Sequence, residues 1–128
     1  MYIDHIAIWT LDLEKEKDFF LKYFGCTVNE KYVNRGKKFE SYFISFPDGS
    51  RIELMTREDI KEKLKGENSG LAHIAVNAGS REKVRQLTER LDNDGFIISS
   101  VPRVTGDGYY ESVVLDPENN VIEIISLI

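Results

Sequence analysis

His5 in "HIAI" and His73 in "HIAV" are the only histidines in the chain, and their tetrapeptides are near-identical copies 68 positions apart. Glu53 in "RIELM" and Glu123 in "VIEII" form a second repeated pair, 70 positions apart, each inside an otherwise apolar run. A carboxylate in such a run is costly to desolvate unless a cation or hydrogen bonds compensate it. Neutral imidazoles and carboxylates together suit a divalent first-row metal such as Zn, Ni, Mn, Co or Fe, and four protein ligands leave positions open on a six-coordinate ion. The same residues admit a plainer reading. A lone strand histidine is commonly structural, a lone glutamate can face water from a sheet edge, and the repeated tetrapeptide is then an inherited packing element.

For the four side chains to form one site, the chain must consist of two copies of one unit, and the remaining sequence reads that way. A short apolar strand follows each histidine. A charged amphipathic segment comes next: "LDLEKEKDFFLKYFG" with Leu13, Phe19, Phe20 and Phe24 for an apolar face, and "SREKVRQLTERLDNDG" with Val84, Leu87 and Leu91 at helical spacing. Ser80 is a fitting N-cap, and Gly25 and Gly95 stand where helices stop. Three β-like runs complete each copy: "CTVNEKYVN", "FESYFISF" and "SRIELM", then "FIISSVPRV", "YYESVVLD" and "NVIEII". The closing hairpins correspond too, with Asp48-Gly49 in one and Asn119-Asn120 in the other, residue types that tolerate positive φ.

Each copy therefore predicts strand, helix and three strands, an α+β fold of two paired βαβββ modules. Module 1 spans about residues 1–56 and module 2 about 71–128 of a single domain; the polar stretch 57–70 is a linker with room for a short helix. Strand alternation puts His5, Ala7 and Trp9 on one face and Ile6 and Ile8 on the other, with His73, Ala75 and Asn77 likewise opposed to Ile74 and Val76. The Ile/Val faces pack on the helices, which leaves the histidines on the open side. By the same rule Arg51, Glu53 and Met55 share a face, as do Val121, Glu123 and Ile125.

Composition narrows the partners. The 128 residues are 41% hydrophobic and 30% charged, enough to bury a real core, and the formal charge is −5. No stretch concentrates Lys and Arg, so neither nucleic acid nor an anionic membrane is an expected partner, and a small molecule is. No signal-peptide pattern and no membrane-spanning apolar run is present, so a cytoplasmic protein is expected. The single cysteine, Cys26, fits a reducing compartment and reads as a buried apolar filler. The stretch "VPRVTGDGYYES" at 101–112 offers two glycines for a mobile loop, Arg103 for a substrate carboxylate, and Tyr109 or Tyr110 as a hydrogen-bond donor. A wide hairpin is the alternative. Arg35, Lys37 and Lys38 form an exposed cluster that reads as a solvated hairpin.

Over roughly residues 3–127 the sequence resembles the vicinal oxygen chelate superfamily, and within it the glyoxalase I-like proteins. The matching residues are His5 in "DHIAI", Glu53 in "RIELM", His73 in "LAHIAV" and Glu123 in "NVIEII", with the "PDG" and "PEN" turns. The resemblance implies paired modules forming a curved mixed sheet, a metal-holding cup with the helices outside. It implies one divalent ion per site, held by those four residues and chelating vicinal substrate oxygens, with Glu123 or Glu53 as general base in an isomerase or lyase reaction of the lactoylglutathione lyase type. It also implies a homodimer, since in many relatives the modules pair across two chains. Methylmalonyl-CoA epimerases carry Gln at the second ligand position and fosfomycin-resistance enzymes use a second His in a three-ligand set, so Glu53 speaks against both. Two departures speak against glutathione as the thiol: Trp9 stands where those proteins commonly have an arginine, and Arg57 where they have an asparagine. Trp9 instead suggests an aromatic wall or a core residue, and Trp9 and Arg57 join the candidate substrate-binding residues. Two other activities share the fold, a metal-dependent dioxygenase and a non-catalytic ligand-sequestering protein of the bleomycin-resistance kind.

Overall fold

Asp12 opens the first helix, α1 (Leu13–Phe24): its carboxylate accepts from the Lys15 amide at 3.0 Å, satisfying a backbone donor that a helix start leaves over. The helix stops at Gly25, whose φ of 64° lies in the left-handed region that glycine enters without cost. Ser80 caps α2 (Arg81–Asn93) in the same manner, accepting from the Lys83 amide at 3.3 Å.

A computed structural model describes residues 1–63, 67 and 69–128. In it the helices belong to two units, Met1–Leu64 and Lys65–Ile128. In the first, β1 (Ile6–Trp9) precedes α1, and β2 (Thr27–Val28), β3 (Tyr32–Asn34), β4 (Phe39–Ser45) and β5 (Arg51–Arg57) follow. The sheet runs β1-β5-β4-β2, with β3 also on β4; β1 and β5 are parallel and the other pairs antiparallel. In the second unit β6 (Ile74–Asn77) precedes α2, and β7 (Ile98–Val104), β8 (Tyr109–Leu115) and β9 (Val121–Leu127) follow, in the order β6-β9-β8-β7. Each unit is a mixed sheet carrying one helix, the α+β class expected; the second has the expected βαβββ order, and in the first the run after the helix is divided into β2 and β3. No helix among the described residues is long and apolar enough to cross a membrane.

The core of each unit lies between its helix and the helix-facing side of its sheet. Phe19 and Phe20 of α1 meet Ile44, Ile52 and Leu54, all buried, while Val84 and Leu91 of α2 meet Val114, Ile122 and Ile124. Cys26 is buried as expected, and burial pushes its thiol up to about 11.

Three expectations need correction. The run 26–34 is two short strands: the Asn29 side chain accepts from the Phe43 amide at 2.8 Å and so replaces a ladder bond, which interrupts the pairing. On α2 the third buried position, beside Val84 and Leu91, is Thr88, with Leu87 only half-buried; the Thr88 hydroxyl donates to the Val84 carbonyl and shares a 2.6 Å bond with Ser112, so its burial leaves no polar group unmet. The described part of the 57–70 stretch holds no helix, since β5 continues to Arg57 and a turn is closed from Ile60 to the Arg57 carbonyl at 2.9 Å. Residues 64–66 and 68 lie outside the described residues.

Two predictions concern stability. Ser126 is fully buried on the helix-facing side of β9, and its hydroxyl has no hydrogen-bond partner among the described residues. Ser126→Ala should therefore raise stability by about 1 kcal/mol in urea unfolding, because an unmet buried hydroxyl costs about that much. Glu14 lies 2.8 Å from Lys17 and 2.7 Å from Lys31 and accepts from the Tyr42 hydroxyl at 3.0 Å. The Lys17 hydrogen bond leads in holding its carboxyl down to about 2. A lowered folded value stabilises above the unfolded value, near 4.5, and the benefit fades as pH falls towards 2. With the Glu14 side chain 48% exposed, Glu14→Gln should cost under about 1 kcal/mol at pH 7, and the gap to wild type should close at pH 2.

Candidate metal centre

Parallel pairing of the first and last strands places the histidines beside the glutamates in both units. Ala7 stands opposite Glu53 and Ala75 opposite Glu123, so each histidine is two residues before its glutamate's partner, on the same face. His5 Nε2 lies 3.6 Å from Glu53 Oε2, and His73 Nε2 lies 3.3 Å from Glu123 Oε2. Adjacent ligands of one tetrahedral or octahedral ion, at metal–ligand lengths of about 2.0–2.2 Å, are themselves roughly 2.8–3.6 Å apart. Both pairs meet that spacing.

The flanking residues explain why the glutamates are tolerated in apolar strands. Ile52 and Leu54, and Ile122 and Ile124, point into the core, while the carboxylates face the other way with 18% and 20% of each side chain exposed. Among the described residues no three His, Cys, Asp or Glu side chains gather into a metal-holding group. Each unit by itself supplies two donors. Two is fewer than the three protein ligands a catalytic ion ordinarily has.

Asp4 is the residue the sequence reading passed over, although it immediately precedes His5. Its carboxylate accepts from His5 Nδ1 at 2.8 Å and also meets the Arg51 guanidinium. These contacts, the His5 bond first, hold the Asp4 carboxyl below the usual carboxylate range. An ionised Asp4 fixes the proton on Nδ1 and leaves Nε2 with its lone pair on the Glu53 side. The Phe43 ring packs edge-on against His5 with centroids 4.9 Å apart, and the Arg51 guanidinium lies 4.8 Å over that ring. The second copy has Ala72 in place of Asp4.

The other candidates fall into separate groups. Trp9 is on the His5 face, 42% exposed, with the Arg57 guanidinium 4.8 Å over its ring and Phe39 edge-on at 6.1 Å. Arg57 also holds Asp59 through two guanidinium nitrogens. Arg103 is opposite Glu111 and donates to it at 3.3 Å and to Ser100 at 2.9 Å. The register β8 to β9 sets Val113 against Glu123, so Tyr109 and Glu111 share the Glu123 face. Tyr110 lies on the opposite, helix-facing side, beneath Arg81 and Arg85 of α2 at 5.3 and 5.9 Å. The 101–112 stretch is a hairpin, with β7 reaching Val104 and β8 starting at Tyr109. Its turn is closed by the Thr105 amide on the Tyr109 carbonyl at 2.8 Å.

Comparison with known proteins gives a consistent result. The family model of the Glyoxalase/Bleomycin resistance protein/Dioxygenase superfamily matches residues 2–124. The uncharacterised protein YqjT of Bacillus subtilis (strain 168) is 27% identical, over 95% of this chain and 96% of its own length. Glyoxalase I from Zea mays superposes with a TM-score of 0.79 at 21% identity, over 96% of this chain and 43% of that one. The fosfomycin resistance protein FosX of Listeria monocytogenes, solved with Mn(II) and sulfate, superposes with a TM-score of 0.74 at 20% identity, over 98% of this chain and 91% of that one.

Proposed function

The chain belongs to the glyoxalase/bleomycin resistance/dioxygenase superfamily, and on that premise we propose that it is a metal-dependent, glyoxalase I-like isomerase or lyase. His5, Glu53, His73 and Glu123 hold one divalent ion per site. The observation that carries this reading is the pair of His–Glu contacts, made in the same strand register in both units and at the separation of neighbouring metal ligands. The donor set, two imidazoles and two carboxylates, suits Zn, Ni, Mn, Co or Fe.

Bound there, the ion supplies Lewis-acid polarisation of vicinal oxygens on a small-molecule substrate. The protein's own part is to orient ligands and move a proton. Asp4 keeps His5 in the tautomer that offers Nε2. Glu123 is the general base, taking a proton from the carbon beside a substrate carbonyl and returning it to the neighbouring carbon, a rearrangement without net oxidation. Glu53 is its counterpart in the first unit. Glutamate's long side chain lets one residue serve as ligand and base in turn. Trp9, with Arg57 over its ring and Arg57 itself engaged by Asp59, forms an aromatic wall in place of a glutathione carboxylate clamp. A cytoplasmic homodimer is part of the same proposal, and sedimentation of the purified protein checks its assembly.

The test is conversion of methylglyoxal hemithioacetals made with a series of thiols, before and after metal stripping. Metal-dependent turnover with a thiol other than glutathione is expected, and no turnover of any hemithioacetal by the refilled protein contradicts the reading. Asp4→Ala should weaken metal binding about 10–100-fold, the usual effect of losing a residue that orients a ligand histidine. A chromogenic chelator in competition measures it.

A further inference from the structure

The first unit also holds a cleft of about 510 Å³ beside the β3–β4 hairpin, lined on one side by that hairpin and on the other by the end of β5 and the turn after it. Its lining carries four cations, Arg35, Lys38, Arg57 and Lys61, against two carboxylates, Glu40 and Glu58. That balance is opposite in sign to the protein's overall charge of −5. The internal pairing is specific. Lys38 pairs with Glu58, Glu40 with Lys31, and Arg57 with Asp59. Arg35 and Lys61 are in no ion pair among the described residues, and both are exposed.

The Lys38–Glu58 pair ties the hairpin to the turn after β5. Lys38 does so from φ 51°, in the left-handed region where a lysine is strained and Gly or Asn is at home. Phe39, Val33 and Ile60, with Leu11, are the apolar lining residues of the cleft beside its cations. A guanidinium and an ammonium outside any ion pair, Lys61 feeling only the longer-range attraction of Asp59, in the lining of a partly apolar cleft match an oxyanion on an aromatic or aliphatic body.

We propose that this cleft is a binding site for a small acidic ligand, with Arg35 and Lys61 taking its carboxylate or phosphate and Phe39 and Val33 its apolar part. The cleft lies off the His–Glu pair of the same unit and meets the proposed Trp9 wall at Arg57, which is four residues beyond Glu53 on the same face of β5, about 13 Å along the strand. Binding there needs no metal, so a titration of the metal-stripped protein tests it apart from the metal-dependent turnover proposed above.

Trp9 is the sole tryptophan and touches two lining residues, Arg57 and Phe39, so its fluorescence reports on the cleft. The metal-stripped full chain is titrated at constant ionic strength with phenyl phosphate, benzoate, inorganic phosphate and phenol, by fluorescence and by calorimetry. Saturable binding of phenyl phosphate or benzoate is expected, and which of the two binds more tightly identifies phosphate or carboxylate as the preferred oxyanion. Binding of inorganic phosphate as tightly as phenyl phosphate would assign the recognition to the oxyanion and remove the apolar lining from the proposal. Removing both cations in Arg35→Ala/Lys61→Ala should weaken binding roughly tenfold, while Lys83→Ala, at an exposed position of α2 in the other unit, leaves it unchanged. Both substituted positions are exposed, and circular dichroism verifies the fold. Phenol binding as well as phenyl phosphate, unchanged affinity in the double variant, or no saturation by either method overturns the proposal.

Discussion

Glu123→Gln is expected to lower turnover by about 10²–10⁴-fold, the usual contribution of a positioned general base, while leaving the fold in place. The substitution keeps the side chain's shape and its reach to His73, now at 3.3 Å, and the burial of Ile122 and Ile124 on the other face of β9 is untouched. Only the proton-accepting charge is lost. Initial rates on whichever hemithioacetal the wild type converts, read beside thermal unfolding curves, separate the two effects. Full activity in the variant would remove Glu123 from the mechanism, and unfolding would make it a structural residue.

The largest stability loss is expected from Phe20→Ala. Phe20 is fully buried, edge-on to Phe19 at 5.4 Å and to Phe46 at 6.3 Å. Truncating such a ring removes its transfer energy and leaves a cavity, together about 3–5 kcal/mol. That is a large share of the roughly 5–15 kcal/mol holding a typical domain. Urea unfolding measures it, and a loss below about 1 kcal/mol would mean that the core relaxes into the space.

The residues of the candidate centre were legible because their signal is local and repeated. A histidine followed by alternating apolar residues, and a glutamate between two isoleucine-like neighbours, can be read from types and spacing alone, and the parallel register Ala7–Glu53 and Ala75–Glu123 then sets them side by side. The cap at Ser80 was legible for the same reason, being one side chain acting on an amide three residues on. Features decided by distant partners were not legible. The break at Asn29 depends on Phe43, fourteen residues away, and the burial of Thr88 depends on a hydroxyl of β8. Tyr110 looked equivalent to Tyr109 in sequence, but a period of two sends them to opposite faces once Val113 is registered against Glu123. Asp4 was readable in principle, as an acid beside a ligand histidine. The basic hairpin at Arg35–Lys38 looks like a solvated turn until the turn after β5 closes against it.

The most direct test of the metal centre is its stoichiometry. Elemental analysis after stripping and refilling compares the wild type with His5→Ala/Glu123→Ala, which removes one ligand from each unit. About one divalent ion per chain in the wild type, lost in the double variant, is the expected result for a four-ligand site. A wild type that retains no metal, or a double variant that retains all of it, would contradict the account and leave the repeated histidine motif as a packing element.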